Sequence, residues 1–123
     1  MPKAGFKEML ARANAEIETM SVQDFTYIED SPNTVVVDVR DELERETIGS
    51  IPGSIHASRG LLEFHADPES PAHIVDFDPE KRLIVYCQTG GRSALAAKTL
   101  MDMGFSDVSS LAGGYAAWKA AAE

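Results

Sequence analysis

A second cysteine is missing from this chain. Cys87 is the only one in 123 residues, which excludes an intramolecular disulfide framework and suits a reducing compartment. Positive charge is scarce as well, with 11 lysines and arginines against 20 aspartates and glutamates and a net charge of −9. That balance argues against nucleic acid and anionic membranes as partners, although acidity can also serve solubility alone. It repels small anionic substrates at long range, so any anion handled here has to be captured by amide and arginine groups close to the site. No apolar run approaches the roughly 20 residues that span a bilayer. The opening MPKAGFKEML lacks the continuous apolar stretch of a signal peptide. Repeats and low-complexity tracts are absent too, and the length suits one core. The expectation is a soluble, cytoplasmic chain.

What is present reads as strands alternating with helices. Residues 1–16 form a polar helical extension with Phe6, Met9, Leu10 and Ala13 on one stripe, expected to pack on the body. Ile17 to Met20 reads as a short edge strand, and Ser21 followed by Asp24 as a capped helix start. The β-branched run Val35-Val36-Val37-Asp38-Val39 is of the kind a buried parallel strand demands. A charged helical turn at 41–47, a loop at 49–53 and a short strand at 54–57 follow. A long irregular stretch covers about 65 to 80. Leu83 to Cys87 is the next strand, and Arg92 to Met103 a helix capped by Gly104, with Ala96, Leu100 and Met103 as its buried stripe. Asp107 to Leu111 is a last strand, Gly113-Gly114 a tight turn, and Tyr115 to Ala122 a closing helix with Trp118 on the core. This alternation indicates an α/β fold with a mainly parallel sheet.

Cys87 sits where the strand Leu83-Ile84-Val85-Tyr86 runs into Gln88-Thr89-Gly90-Gly91-Arg92-Ser93 and then a helix. Two glycines there let successive backbone N-H groups converge on one point, and the helix adds the positive end of its macrodipole. Such a setting favours a thiolate over a thiol, whose free pKa is about 8.5. Two readings follow: a nucleophile at neutral pH, or a small buried hydrophobe at a strand end.

The segment LIVYCQTGGRSALAAKTLMDMGFSDVSSLAGGYAAW at 83–118, with VVVDVRDE at 35–42 and GSIPGSIHASRG at 49–60, resembles a single-domain rhodanese. Three separated motifs occur in order: Asp-Val-Arg after a strand, Ile-Pro-Gly before a short strand, and Cys-x-x-Gly-x-Arg-Ser followed by Gly-Gly and a tryptophan. The resemblance covers roughly residues 17 to 122, so that residues 1–16 read as an extension and 17–123 as the rhodanese-like domain. It implies a central, mainly parallel five-stranded sheet flanked by helices on both faces, with the active-site loop after the fourth strand. It also implies a sulfurtransferase that needs no metal or organic cofactor. The cysteine takes a sulfane sulfur from a small donor, or from a protein persulfide, and passes it to a thiol or cyanide-like acceptor.

In that scheme Cys87 carries the persulfide, and Gln88, Thr89, Gly90, Gly91 and Arg92, with Ser93 closing the loop, supply the cradle of amides. Arg92 either orients a donor anion or pairs with a carboxylate such as Asp38 to fix the loop. Arg40 leans to a structural role, and Arg59 is placed to reach the rim of the site. The loop side chains between Cys87 and Arg92 are neutral, whereas relatives that work well on thiosulfate often place a basic residue there. A persulfide donor is therefore expected to serve better than dianionic thiosulfate.

Two other functions compete with this one. A phosphatase or arsenate reductase of related fold wraps its oxyanion with five residues between cysteine and arginine, and here only four separate Cys87 from Arg92. A non-catalytic binding module would have less need of the cysteine, its glycines and its arginine. His56, His65 and His73 have no metal-site spacing and read as surface or loop residues. Phe64, Phe77 and Phe105 read as anchors, with Phe64 at the pocket entrance if the long excursion folds over the site.

Overall fold

The computed structural model describes residues 3–123; residues 1 and 2 of the expected extension lie outside them. In chain order the elements are α1 (Phe6–Glu16), β1 (Glu18–Met20), α2 (Val22–Ile28), β2 (Thr34–Asp38), α3 (Glu42–Ile48), β3 (Ile55–His56), α4 (Leu62–Ala66), β4 (Arg82–Tyr86), α5 (Gly91–Asp102), β5 (Val108–Leu111) and α6 (Gly114–Ala122). The strands form one five-stranded sheet in the order β1-β5-β4-β2-β3, and every neighbouring pair runs parallel.

The apolar runs of β2 and β4 follow from cover on both faces of this sheet. Val35, Val37, Leu83 and Val85 enter one core with Leu62 and Ala66 of α4 and Ala94, Ala97 and Leu100 of α5. Their neighbours Val36, Ile84 and Tyr86 enter the other, with Phe25 of α2, Ile51 and Tyr115 of α6. Each fully buried valine or leucine contributes roughly 1.5–3 kcal/mol. Small residues on the buried stripe of α5 bring that helix close to β4, which positions its N-terminus over the end of the strand.

Connections diverge at the β2/β4 border, since β2 leads to β3 on one side and β4 leads to β5 on the other. The crevice at the carboxyl ends of strands at such a border is where open α/β sheets bind ligands. Arg40 follows β2 there, and Cys87 follows β4.

Three local expectations need correction. Phe6 and Met9 are 72% and 50% exposed, and α1 packs through Ala13 and Leu10 instead. Met103 is 37% exposed because the helix has already ended; Gly104 turns the chain at φ 110°, and the core position goes to Phe105. Phe105 and Phe77 form a buried edge-to-face pair with centroids 6.2 Å apart. The short helix α4 precedes the irregular stretch and overlaps only its first residues, unforeseen because five residues carry too little periodicity to read. No helix among the described residues is long and apolar enough to cross a membrane.

Candidate active site

The first turn of α5 has no side-chain cap; Gly90, at the N-cap position with φ 113°, offers none. The sulfur of Cys87 takes that part. Sγ accepts from the amide of Ser93 at 3.4 Å, where a capping serine or aspartate oxygen usually accepts, and from the amide of Gly90 itself at 3.1 Å. The Ser93 hydroxyl stands 3.5 Å from Sγ. Burial is the strongest single influence on this thiol and opposes its ionisation. The hydroxyl and amide of Ser93 and the amides of Gly90 and Thr89 outweigh burial together, and the thiol is held below its ordinary pKa. Ser93 thus contributes both an amide and a hydroxyl.

A second helix fixes the other side of the loop. The carbonyl of Cys87 accepts from the amide of Tyr115 at 2.8 Å, and that of Gln88 from the amide of Ala116 at 3.1 Å. These are amides of the first turn of α6, otherwise without intrahelical partners. With its carbonyls drawn to α6, the loop presents amides to the sulfur. The close approach depends on Gly114: a Cβ there would lie 2.5 Å from the Cys87 carbonyl oxygen, and its φ is 61°. Gly113 closes the expected turn, whereas Gly114 already begins α6 and is the contact that lets that helix touch the loop.

Behind the loop lies a buried charge network. Asp38 and Arg40 are fully buried and paired, with Arg40 Nε 3.0 Å from Oδ1 and Nη2 2.8 Å from Oδ2. Arg45 Nη1 and the Tyr86 hydroxyl each donate to Oδ2 at 3.0 Å. Burial pushes the Asp38 carboxyl up, but the hydrogen bonds and charge of Arg40 prevail and hold it below the usual range. Arg40 Nη1 also donates to Gln88 Oε1 at 3.0 Å, and its guanidinium stacks 4.7 Å from the Tyr115 ring centre. Arg40 therefore ties the end of β2 to both the loop and α6.

Arg92 pairs with Glu44 of α3 and not with Asp38, whose oxygens are already occupied. Nη1 donates to Oε1 at 2.6 Å and Nη2 to Oε2 at 2.9 Å, a bidentate pair. Glu44 is held in turn by a capping box, its side chain accepting from the Asp41 amide at 3.2 Å. Arg92 lowers the pKa of Glu44 to about 2, against the smaller opposing effect of burial.

Other expected residues lie elsewhere. The Arg59 guanidinium is bonded to Glu63 and to Thr99, some two turns along α5 from the loop, so it does not supply charge at the sulfur. Phe64 is 58% exposed and lines a hollow with Glu63, Asp67 and Pro71, away from Cys87. His56 is a half-buried strand residue bonded through Nε2 to the Arg40 carbonyl at 2.7 Å. No cluster of metal-ligating side chains occurs among the described residues.

Comparison with known proteins gives this geometry a family. The rhodanese-like domain family model matches residues 21–121. The thiosulfate sulfurtransferase GlpE of Ectopseudomonas mendocina is 40% identical over 93 residues, covering 73% of this chain and 74% of that protein. The tRNA uridine(34) hydroxylase of Synechococcus is 31% identical over 129 residues, and the chain spans only 42% of its length. A solved structure from Rhodopseudomonas palustris, described as a protein of unknown function and possible tyrosine phosphatase, superposes with a TM-score of 0.94 at 44% identity, covering 99% of this chain and 94% of that one. The human single-domain sulfurtransferase TSTD1 superposes at 0.69 with 26% identity, over 83% of this chain and 95% of its own. On the family match and the parallel sheet with Cys87 at the end of β4, the chain belongs to the rhodanese-like domain family.

Proposed function

We propose that this chain is a sulfurtransferase that carries sulfane sulfur as a persulfide on Cys87 and is loaded by persulfide donors in preference to thiosulfate. The observation that carries this reading is the sulfur seated as acceptor for the first turn of α5, with Arg92 paired onto Glu44. The Cys87 thiolate attacks the outer sulfur of a donor R-S-SH; the donor S-S bond breaks, and R-S⁻ leaves and takes up a proton. The amides that held one negative sulfur then hold the outer sulfur of the persulfide. An acceptor thiolate attacks that outer sulfur in turn, forming its own persulfide and returning Cys87 as thiolate, with no net oxidation.

Dipoles suffice for a single charge on sulfur, whereas dianionic thiosulfate wants a free cation, and Arg92 is not free. Phosphatase chemistry fits less well. Four residues separate Cys87 from Arg92, and the guanidinium that would clamp a phosphoryl group is bidentate on Glu44. A pure binding module would not call for the thiol-acidifying contacts of Ser93 and Gly90.

Incubation with a persulfide donor should add one sulfur atom to the intact mass of the wild type and none to Cys87→Ser. The kcat/KM for thiosulfate should be at least about tenfold below that for a persulfide, a difference of roughly 1.4 kcal/mol in transition-state stabilisation. Failure of the wild type to gain sulfur would overturn the reading. Cys87-dependent hydrolysis of an aryl phosphate would put a phosphatase in its place.

A further inference from the structure

The hydroxyl of Ser93, which stands against the Cys87 sulfur, has a second hydroxyl behind it. Ser110 of β5 is 3% exposed, and its Oγ lies 2.8 Å from Ser93 Oγ. Among the described residues no other side-chain partner of the Ser110 hydroxyl is found. Ser93, by contrast, has two acceptors within reach, the Gly90 carbonyl at 3.1 Å and Sγ at 3.5 Å. A hydroxyl carries one proton and two lone pairs, and a buried proton needs an acceptor. If Ser93 donated to Ser110, the Ser110 proton would lose its one side-chain acceptor. The direction that satisfies both runs from Ser110 to Ser93.

We propose that Ser110 is a positioning residue for the Cys87 sulfur: it donates to Ser93 Oγ and so leaves the Ser93 proton to turn onto Sγ when the sulfur is negative. With the thiol neutral, its S-H points to Ser93 Oγ and Ser93 donates to the Gly90 carbonyl. On ionisation the Ser93 proton swings from that carbonyl to Sγ, while the Ser110 bond stays and polarises it. The Ser93 hydroxyl then joins the amides of Gly90 and Ser93 as a donor to the sulfur. Other charges around it are fixed: Arg92 of α5 is paired with Glu44 of α3, and Arg40 with Asp38 lies behind Gln88. The β5 sequence Val108–Leu111 brings no ionisable group, and the first turn of α6 brings only the Tyr115 phenol.

This proposal rests on the reading of Cys87 as a working thiolate, and its test reads thiol acidity directly, without sulfur transfer. The rate of Cys87 alkylation by iodoacetamide is followed against pH in wild type, Ser110→Ala, Ser93→Ala and the double variant, with thermal melting to show that each is folded. Ser110→Ala is expected to raise the midpoint by about half a unit to one unit, the scale of one weakened hydrogen bond to a charged group. The same change should do nothing further in the Ser93→Ala background, because Ser110 acts through Ser93. An unmoved midpoint in the single variant, or an equal shift in both backgrounds, would overturn the proposal. A normal midpoint pattern in a protein that never gains sulfur would sink the sulfurtransferase reading and leave this one standing.

Discussion

Arg92 and Glu44 meet head on between α5 and α3, nitrogen to oxygen at 2.6 and 2.9 Å. The pair turns the one arginine of the cysteine loop into a strut, and the sulfur is left to backbone and hydroxyl dipoles.

Releasing that strut should change substrate preference. Glu44→Gln frees Arg92 to swing toward the loop. The ratio of kcat/KM for thiosulfate over that for a persulfide should rise several-fold, and steady-state kinetics with both donors measures it. A ratio that stays level or falls would show that Arg92 is not what limits thiosulfate.

The same pair predicts an acid-dependent stability. Glu44 has its pKa lowered from 4.5 to about 2 in the folded chain, so its contribution is present in full above 4.5 and is lost as pH falls through about 2. With the Glu44 side chain 26% exposed and its partner 41%, solvent screening keeps that contribution small. Urea unfolding should show wild type more stable than Glu44→Gln at pH 7, with the gap narrowing as pH drops below 4.5. A gap that widens on acidification would contradict the lowered carboxyl.

Gly114→Ala places a Cβ 2.5 Å from the Cys87 carbonyl oxygen at a φ of 61°. A non-glycine residue held in such backbone costs of order 1–3 kcal/mol before the clash is counted. Relief of the clash has to push α6 off the loop. Loss of stability by urea unfolding should come with a slower thiol at neutral pH. Unchanged alkylation of Gly114→Ala would mean that α6 does not hold the loop.

Asp38→Asn leaves the Arg40 guanidinium buried without its counter-charge. Breaking a buried pair from one side costs roughly 3–5 kcal/mol, while Tyr86→Phe removes a neutral hydroxyl that meets Asp38, Ser54 and the Ile51 amide, leaves no charge unpaired and should cost less. Chemical denaturation of the two variants should reproduce that order. A loss for Asp38→Asn no larger than for Tyr86→Phe would assign Asp38 a minor part.

The sheet and the cysteine loop were legible because they rest on short-range signals. Valine-rich runs mark buried parallel strands, and two glycines after Cys87 mark a turn whose amides gather. Ser21 followed by Asp24 is a signal of the same kind, and the Ser21 hydroxyl accepts from the Asp24 amide at 3.1 Å. What escaped were partners set by topology. Nothing local to Arg92 says that Glu44, 48 positions away, will meet it. The spacing of Asp41 and Glu44 did carry a readable capping box, which could have marked Glu44 as a fixed carboxylate. Ser110 sends no signal of its own, because a serine in a buried strand becomes informative only when β5 is laid beside β4. Arg59 misled for a related reason: proximity in sequence to a strand end does not decide which way a long side chain leans.

The carbonyls of Cys87 and Gln88 are clamped by α6, the Gln88 side chain by Arg40, and Arg92 by Glu44. The lowered pKa of the Cys87 thiol is therefore a property of the assembled chain and not of the cysteine segment. If any of these clamps opens, the amides lose their aim and the thiol drifts back toward the ordinary acidity of a free cysteine, near pH 8.5. An unclamped loop then holds a less acidic thiol, which on the proposed sulfurtransferase reading loads sulfur slowly and is over-oxidised less readily. Folding acts here as the safety catch of the reagent.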